Sequence, residues 1–96
     1  MENRIQLKHP SGKKAVSMDK DKYDCIKNAL LHCLKKKGEL THKEILQAII
    51  EDFKKNKTKF EGSIEWYMES VKLDLEAGKI IERISDKKPQ KYRLAD

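Results

Sequence analysis

Two cysteines and two histidines have the side-chain chemistry of metal ligands. They are Cys25, His32, Cys33 and His42. No pair of them has the Cys-x-x-Cys or His-x-x-x-His spacing through which neighbouring ligands reach one ion. Cys33 also falls on the apolar stripe of a predicted helix. The pattern therefore predicts ordinary packing for these side chains and no metal.

Paired carboxylates are the next residues that could do chemistry. Asp21 and Asp24 form one such pair, and Glu65 and Glu69 form another. General acid catalysis requires a cleft that perturbs a pKa and holds a substrate, and carboxylates on the solvent face of a helix have neither. The sequence also has no phosphate-binding glycine loop, nucleophile elbow or Ser/His/Asp order. We therefore predict that the protein is not an enzyme and uses no cofactor.

Basic side chains are concentrated in two segments that flank the third predicted helix. These residues are Lys54, Lys55, Lys57 and Lys59 in the loop before the helix, and Lys87, Lys88, Lys91 and Arg93 in the hairpin after it. Such lysines either keep a protein soluble or contact the phosphate backbone of nucleic acid. Binding of the second kind is electrostatic and depends only weakly on the base sequence.

The net charge of +6 is unevenly distributed along the chain. Residues 61–78 hold five carboxylates and one lysine, a net charge of −4, so the rest of the chain carries +10. One stripe of the third helix, which we expect to be exposed, consists of Glu65, Glu69, Lys72 and Glu76. Its carboxylates would oppose the phosphates of DNA, unless one accepted a hydrogen bond from a cytosine amino group. A solvated face is the simpler interpretation.

Two large apolar residues, Trp66 and Leu73, fall on the side of the third helix that is turned away from the main core. They require cover from the hairpin or from the N-terminal segment, or they form an interface with a partner. Tryptophan is favoured at the hot spots of protein interfaces. The partner in that case is another protein or a second copy of this chain.

Capping signals and apolar spacing divide the middle of the chain into three helices. The first begins near Asp19, a suitable N-cap, and ends at Gly38 after three lysines. Residues 41–44 have the form of a capping box and begin the second helix. Ser63 caps the third, which closes near Gly78. The predicted buried faces consist of Tyr23, Ile26, Leu30, Cys33 and Leu34, then Ile45, Leu46, Ile49, Ile50 and Phe53, then Ile64, Tyr67, Met68, Val71 and Leu75.

Short β-segments complete the pattern. Residues 80–84 and 90–94 are predicted to form a C-terminal hairpin. Between the first two helices, Glu39 and Leu40 leave room only for a very short strand. Residues 1–18 form either a flimsy hairpin or a disordered tail, because two short strands are marginal on their own.

Length and composition suit one small cytoplasmic domain. A chain of 96 residues can build one modest core. Charged residues make up 40% of the chain, but the apolar residues cluster at helical spacing, so we expect a folded protein. No apolar run approaches the roughly 20 residues of a membrane helix, and no signal sequence is recognisable. Cys25 and Cys33 lie roughly 12 Å apart along one helix and cannot form a disulfide, which suits a reducing compartment.

Residues 71–83 are similar to the junction between the third helix and the wing in many winged-helix proteins. More narrowly, the chain resembles a family of small uncharacterised bacterial proteins. The resemblance runs through residues 9–12, Tyr23, residues 60–63, Trp66, Tyr67 and residues 71–76. Members of that family often carry an Arg-Gly pair where this chain has Gly78 and Lys79. The resemblance implies a winged helix and no established activity.

The sequence therefore predicts an α+β fold of the winged helix-turn-helix type, with three helices and a C-terminal hairpin, or wing. Residues 1–18 are predicted to be an N-terminal tail or short hairpin and residues 19–96 the winged-helix domain. The predicted function is a non-enzymatic binding module that contacts duplex DNA weakly through its basic loop and wing. The alternative is a protein-interaction or homodimerisation module that uses Trp66 and Leu73. No membrane and no small-molecule substrate are inferred.

Overall fold

A computed structural model describes residues 3–84 and 89–95 of the chain. These residues form three α-helices and five short β-strands. In chain order the elements are β1 (Arg4–Gln6), β2 (Ser17–Asp19), α1 (Lys20–Lys37), β3 (Glu39–Thr41), α2 (His42–Lys55), α3 (Ile64–Ala77), β4 (Ile81–Ile84) and β5 (Lys91–Leu94). The predicted α+β class and three helices are confirmed, and the N-terminal residues form a hairpin and not a tail.

Helix α1 begins and ends at the predicted residues. The side chain of Asp19 accepts a hydrogen bond from the backbone amide of Lys22 at 3.2 Å, which satisfies one free amide of the first turn. Gly38 adopts a φ of 89° beyond the last turn, and its amide donates to the Leu34 carbonyl oxygen at 2.8 Å. Neither α1 nor the other helices of the described ranges are long and apolar enough to span a membrane.

A capping box starts helix α2, as predicted. The Thr41 hydroxyl accepts from the Glu44 amide at 3.2 Å, and the Glu44 carboxylate accepts from the Thr41 amide at 2.9 Å. These bonds lower the pKa of Glu44, chiefly through the Thr41 backbone amide. The stabilisation is therefore present above the ordinary pKa of a glutamate and is lost as the pH falls through the lowered value.

Helices α2 and α3 are each followed by a lysine in the left-handed region. Lys57 has a φ of 53°, and the next amide, that of Thr58, donates to the Phe53 carbonyl oxygen at 2.8 Å. Lys79 has a φ of 59°, and the amide of Ile80 donates to a carbonyl oxygen of the last turn of α3 at 2.9 Å. Glycine is the residue that usually occupies this place after a helix. In the Arg-Gly pair of the family resemblance, the glycine would fall at position 79.

The strands form two small antiparallel sheets. β1 pairs with β2, and Ile5 lies opposite Met18. The second sheet has the order β3-β5-β4, so β5 lies between the strand that precedes α2 and the strand that follows α3. Tyr92 on β5 lies opposite Leu40 on one side and Arg83 on the other. The C-terminal hairpin is thereby attached to the start of α2.

One apolar core joins the helices, the sheet and the N-terminal hairpin. Its largest fully buried side chains are Ile26, Leu30, Leu34, Ile45, Ile49, Met68, Val71, Leu75 and Ile81. Leu7 and Met18, from the first residues of the chain, belong to the same core. The N-terminal hairpin is therefore packed on the helices and contributes to their burial.

Asp74 joins three parts of the chain. One of its carboxylate oxygens accepts from the Tyr23 hydroxyl of α1 at 2.5 Å, and the other accepts from the backbone amide of Lys8 at 2.8 Å. Burial raises the pKa of Tyr23, and the hydrogen bond to Asp74 raises it further. From the sequence, Asp74 counted only toward the negative charge of α3, and these hydrogen bonds were not predicted.

Candidate nucleic-acid interface

The end of α2 and the loop that follows it form a groove rimmed by lysines. The left-handed Lys57 turns the chain back after α2, and Ser63 begins α3 by accepting from the Trp66 amide at 3.2 Å. Between these two points the loop crosses the apolar ends of both helices. We call this concavity, of about 370 Å³, the lysine groove; it is lined by Ile50, Phe53, Lys54, Lys57, Thr58, Lys59, Phe60 and Ile64.

The lysine groove has an unbalanced positive charge. Lys54, Lys57 and Lys59 are exposed, and within the described ranges none of them forms an ion pair or a side-chain hydrogen bond. No carboxylate is found among the described lining residues. Three ammonium groups beside an apolar floor raise the local positive potential, because the low-dielectric floor screens them less than water does.

Aromatic rings support the floor of the groove. Phe60 stacks on Phe53 with ring centroids 5.6 Å apart and meets Tyr67 edge-to-face at 5.1 Å. The Lys22 ammonium lies 5.7 Å from the centroid of Phe60 and 5.1 Å from that of Tyr67, and it donates to the Glu61 carbonyl oxygen at 3.0 Å. The rings therefore hold the loop against α1 and α3.

The other predicted basic residues do not join the lysine groove. Lys55 faces the end of α1, where it lies with Lys36 and Lys37 but also with the carboxylates of Glu51 and Asp52. The predicted wing contacts Lys87 and Lys88 lie outside the described residues.

Two cations of the predicted wing lie in the sheet. Arg93 lies half-exposed on β5, where its Nε is 2.5 Å from Glu82 Oε1 and its Nη1 is 4.0 Å from Glu39 Oε2. Lys91, in the same strand, pairs in register with Thr41 and Ile84. The charge of Arg93 is therefore opposed by two carboxylates.

The structure corrects the predicted exposed stripe of α3. Lys72 is buried, with 5% of its surface exposed. The Glu76 side chain is also buried and accepts from Arg83 at 3.0 and 3.3 Å. The stripe was expected to face solvent, but β4 packs against α3 and covers its C-terminal half. Only Glu65 and Glu69 remain exposed in that stripe.

Lys72 is satisfied by two partners from distant parts of the chain. Its ammonium group lies 3.0 Å from the Tyr92 hydroxyl and 3.0 Å from His42 Nδ1. An ammonium group can only donate, so His42 Nδ1 accepts this bond. His42 Nε2 lies 3.5 Å from the Glu65 carboxylate. Lys72 therefore connects α3 to β5 and to the first residue of α2.

Trp66 and Leu73 differ in exposure, so they do not form one continuous exposed surface. Trp66 is 47% exposed and makes an edge-to-face contact with Tyr67 at 4.9 Å. Leu73 is half-buried, and the N-terminal residues from Leu7 to His9 lie beside it. The N-terminal segment, which was one of the two predicted covers for these residues, therefore packs beside Leu73 but leaves Trp66 exposed.

The predicted carboxylate pairs lie on helix surfaces. Asp24 accepts from the Lys20 ammonium at 2.7 Å, and this bond raises the pKa of Lys20. Asp21, Glu65 and Glu69 are exposed.

The cysteines and histidines have separate surroundings. Cys33 is buried and donates to the Leu30 carbonyl oxygen at 3.1 Å, while Cys25 is half-buried. Burial raises the pKa of both thiols, that of Cys33 to about 11. His32 is exposed, and His42 is engaged by Lys72. In the described part of the chain no group of three or more His, Cys, Asp or Glu side chains could hold a metal ion.

Residues 4–92 match the model of a family of unknown function, DUF6958. The chain belongs to this family. The DUF6958 match extends from β1 into β5, so it includes the N-terminal hairpin, the lysine groove and α3. It assigns no activity to these parts. No curated protein and no solved structure matches the sequence.

Proposed function

We propose that this protein is a winged-helix domain without enzymatic activity that binds duplex nucleic acid through the lysine groove. The element order supports the fold: α1, β3, α2 and α3 are followed by a hairpin, and β5 lies between β3 and β4. In a winged helix, the second and third helices form the helix-turn-helix and the hairpin forms the wing. The net charge of +6 supports a polyanionic partner.

The observation that carries the proposal is the set of unpaired lysines around the groove. Lys54, Lys57 and Lys59 approach one concavity from the last turn of α2 and the loop after it, with no carboxylate among the described lining residues. The three ammonium groups belong to one short segment of the chain, and each can donate a hydrogen bond to a phosphate group. Such contacts supply affinity that does not depend on the base sequence.

In this proposal, helix α3 does not recognise the base sequence. Its exposed N-terminal half carries Glu65 and Glu69, and its one lysine is turned inward to Tyr92. Carboxylates at these places would repel the phosphates on either side of a major groove. Binding is therefore expected to be weakly sequence-specific.

Duplex nucleic acid fits the groove better than unpaired bases do. Proteins that bind single strands present aromatic faces on which bases stack. Phe60 is already in contact with Phe53, Tyr67 and Lys22, so its faces are occupied. Trp66 is exposed, but Glu65 and Glu69 on the same part of α3 oppose the approach of phosphates.

Neutralising the groove tests this proposal. Replacing Lys54, Lys57 and Lys59 with glutamine should weaken binding to a random duplex at least about tenfold at low salt, because three phosphate contacts are lost. The measurement is fluorescence anisotropy with a labelled duplex. The matched control replaces the exposed Lys8, Lys13 and Lys14 with glutamine and removes the same three charges. Equal weakening by both triple variants would show that only overall charge matters and would contradict a groove.

Self-association through Trp66 is the second candidate function. The observation that favours it is the exposure of Trp66, since an exposed tryptophan is a typical interface anchor. Sedimentation velocity of the wild type should then detect a dimer that Trp66→Ala converts to monomer with an unchanged far-ultraviolet circular dichroism spectrum. A monomeric wild type excludes this candidate. Loss of the fold in the variant would instead identify Trp66 as internal packing against Tyr67.

A further inference from the structure

Trp66 differs from the other aromatic residues in its surroundings. Cationic side chains lie over the rings of Tyr23, Phe60, Tyr67 and Tyr92. Among the described residues no cation lies over Trp66, although it is 47% exposed and indole is the ring that attracts cations most strongly. Its only ring contact in the described ranges is the edge-to-face contact with Tyr67. Much of the indole surface is therefore open to a partner.

Two carboxylates border Trp66 on α3. Glu65 precedes it, with a side chain that is 60% exposed and 3.5 Å from His42 Nε2. Glu69 follows one turn later, is exposed, and forms no ion pair or side-chain hydrogen bond with any described residue. We call Glu65, Trp66 and Glu69 the tryptophan surface. It combines an apolar ring with negative charge that lysine and arginine side chains of the described chain leave unpaired.

The lysine groove has the complementary composition. Its floor is apolar, and its rim carries the unpaired ammonium groups of Lys54, Lys57 and Lys59. A concavity of about 370 Å³ is within the range of small-molecule sites, so it can admit an indole ring. Carboxylates beside that ring would then meet lysines at the rim. The two surfaces therefore match in apolar character and are opposite in charge.

The two surfaces adjoin each other on one copy of the chain. Tyr67 contacts Trp66 at 4.9 Å and Phe60, in the groove floor, at 5.1 Å. The Lys22 ammonium at this boundary already lies over the Tyr67 and Phe60 rings. Helical spacing places Trp66 nearly opposite Ile64, which lines the groove, so Trp66 cannot enter its own groove. Adjoining complementary surfaces allow two copies to pair about a two-fold axis.

We propose that the tryptophan surface of one copy docks in the lysine groove of a second copy, and that this dimer excludes nucleic acid from the groove. The exclusion rests on the proposed function, in which Lys54, Lys57 and Lys59 contact phosphates. The same ammonium groups cannot pair with phosphates and with the carboxylates of a second copy at once. Dimerisation therefore makes nucleic-acid binding depend on protein concentration.

Sedimentation velocity of two complementary variants tests the docking. Trp66→Ala keeps the groove intact, and the triple glutamine variant of the groove lysines keeps the tryptophan surface intact. Each alone should dimerise at least about tenfold more weakly than the wild type. Their mixture should form a heterodimer, because one of the two contacts is restored. The matched control is Ile80→Ala, which truncates another exposed apolar side chain and should dimerise like the wild type.

Three results overturn the docking: a monomeric wild type, a triple glutamine variant that dimerises as tightly as the wild type, or a mixture that associates no more than its components. The double variant Glu65→Gln, Glu69→Gln keeps Trp66 packed on Tyr67 and serves if Trp66→Ala does not fold. It should weaken the dimer by about threefold or more, because two charge pairs are lost. A dimer as tight as that of the wild type would also overturn the docking.

Anisotropy of a labelled random duplex separates this inference from the proposed function. At protein concentrations where the wild type is dimeric, Trp66→Ala should bind the duplex more tightly than the wild type does. Equal affinity under those conditions overturns the exclusion. If the wild type dimerises through these surfaces and neither protein binds the duplex, the proposed function is wrong and the docking is supported.

Discussion

Replacing Leu30 or Ile49 with alanine is expected to lower the free energy of unfolding by about 2–5 kcal/mol. Both side chains are fully buried, Leu30 on α1 and Ile49 on α2, and both belong to the one core that holds helices, sheet and N-terminal hairpin together. Truncation removes apolar contacts and leaves a cavity that the neighbours fill only in part. Urea denaturation followed by circular dichroism measures the loss.

The partly buried Leu46 provides a control on the same helix as Ile49. Leu46→Ala should cost less than Ile49→Ala, because less apolar surface returns to water. A loss below about 1 kcal/mol for both Leu30→Ala and Ile49→Ala would mean that the core face of the helices has been assigned wrongly.

Lys72→Ala is expected to lower the free energy of unfolding by about 2–4 kcal/mol. The substitution removes a buried four-carbon stem and leaves the Tyr92 hydroxyl and His42 Nδ1 without their donor. It also removes the ammonium group that lies 4.2 Å from the centroid of the Tyr92 ring. Chemical denaturation again provides the measurement.

Two further variants separate the stem of Lys72 from its charge. Lys72→Met keeps the apolar stem but leaves the same two groups without their donor, so it should lower the free energy of unfolding by about 1–2 kcal/mol, less than Lys72→Ala. Glu69→Ala, on the exposed side of α3, should change it by no more than about 0.5 kcal/mol. If Lys72→Ala were as mild as Glu69→Ala, the side chain would be exposed as the sequence pattern predicted.

Local signals explain why the helices could be predicted. Asp19, Thr41 and Ser63 each accept from an amide of the first turn that follows, and such caps depend on residues only three positions apart. The apolar periodicity of α1 and α2 likewise identified Leu30 and Ile49 as buried. Both kinds of signal are complete within one short segment.

Long-range packing explains what the sequence did not predict. Helical spacing places Lys72 between the buried and exposed sides of α3, and only the arrival of Tyr92 and His42 decides that it points inward. In the same way, the N-terminal hairpin reaches Leu73 and not Trp66, although both lie on the same side of the helix. The sequence predicted the positive charge of the lysine groove. It did not predict the apolar floor, which depends on how Phe60 and Ile64 pack against the end of α2.

Titration of the wild-type protein with a random DNA duplex over a series of salt concentrations tests the proposed function most directly. If Lys54, Lys57 and Lys59 each displace a counter-ion from one phosphate, the logarithm of the association constant should fall with the logarithm of the salt concentration with a slope of about −2.7. The triple glutamine variant should have a slope closer to zero. Absence of salt-sensitive binding even near ~50 mM salt would contradict the nucleic-acid proposal.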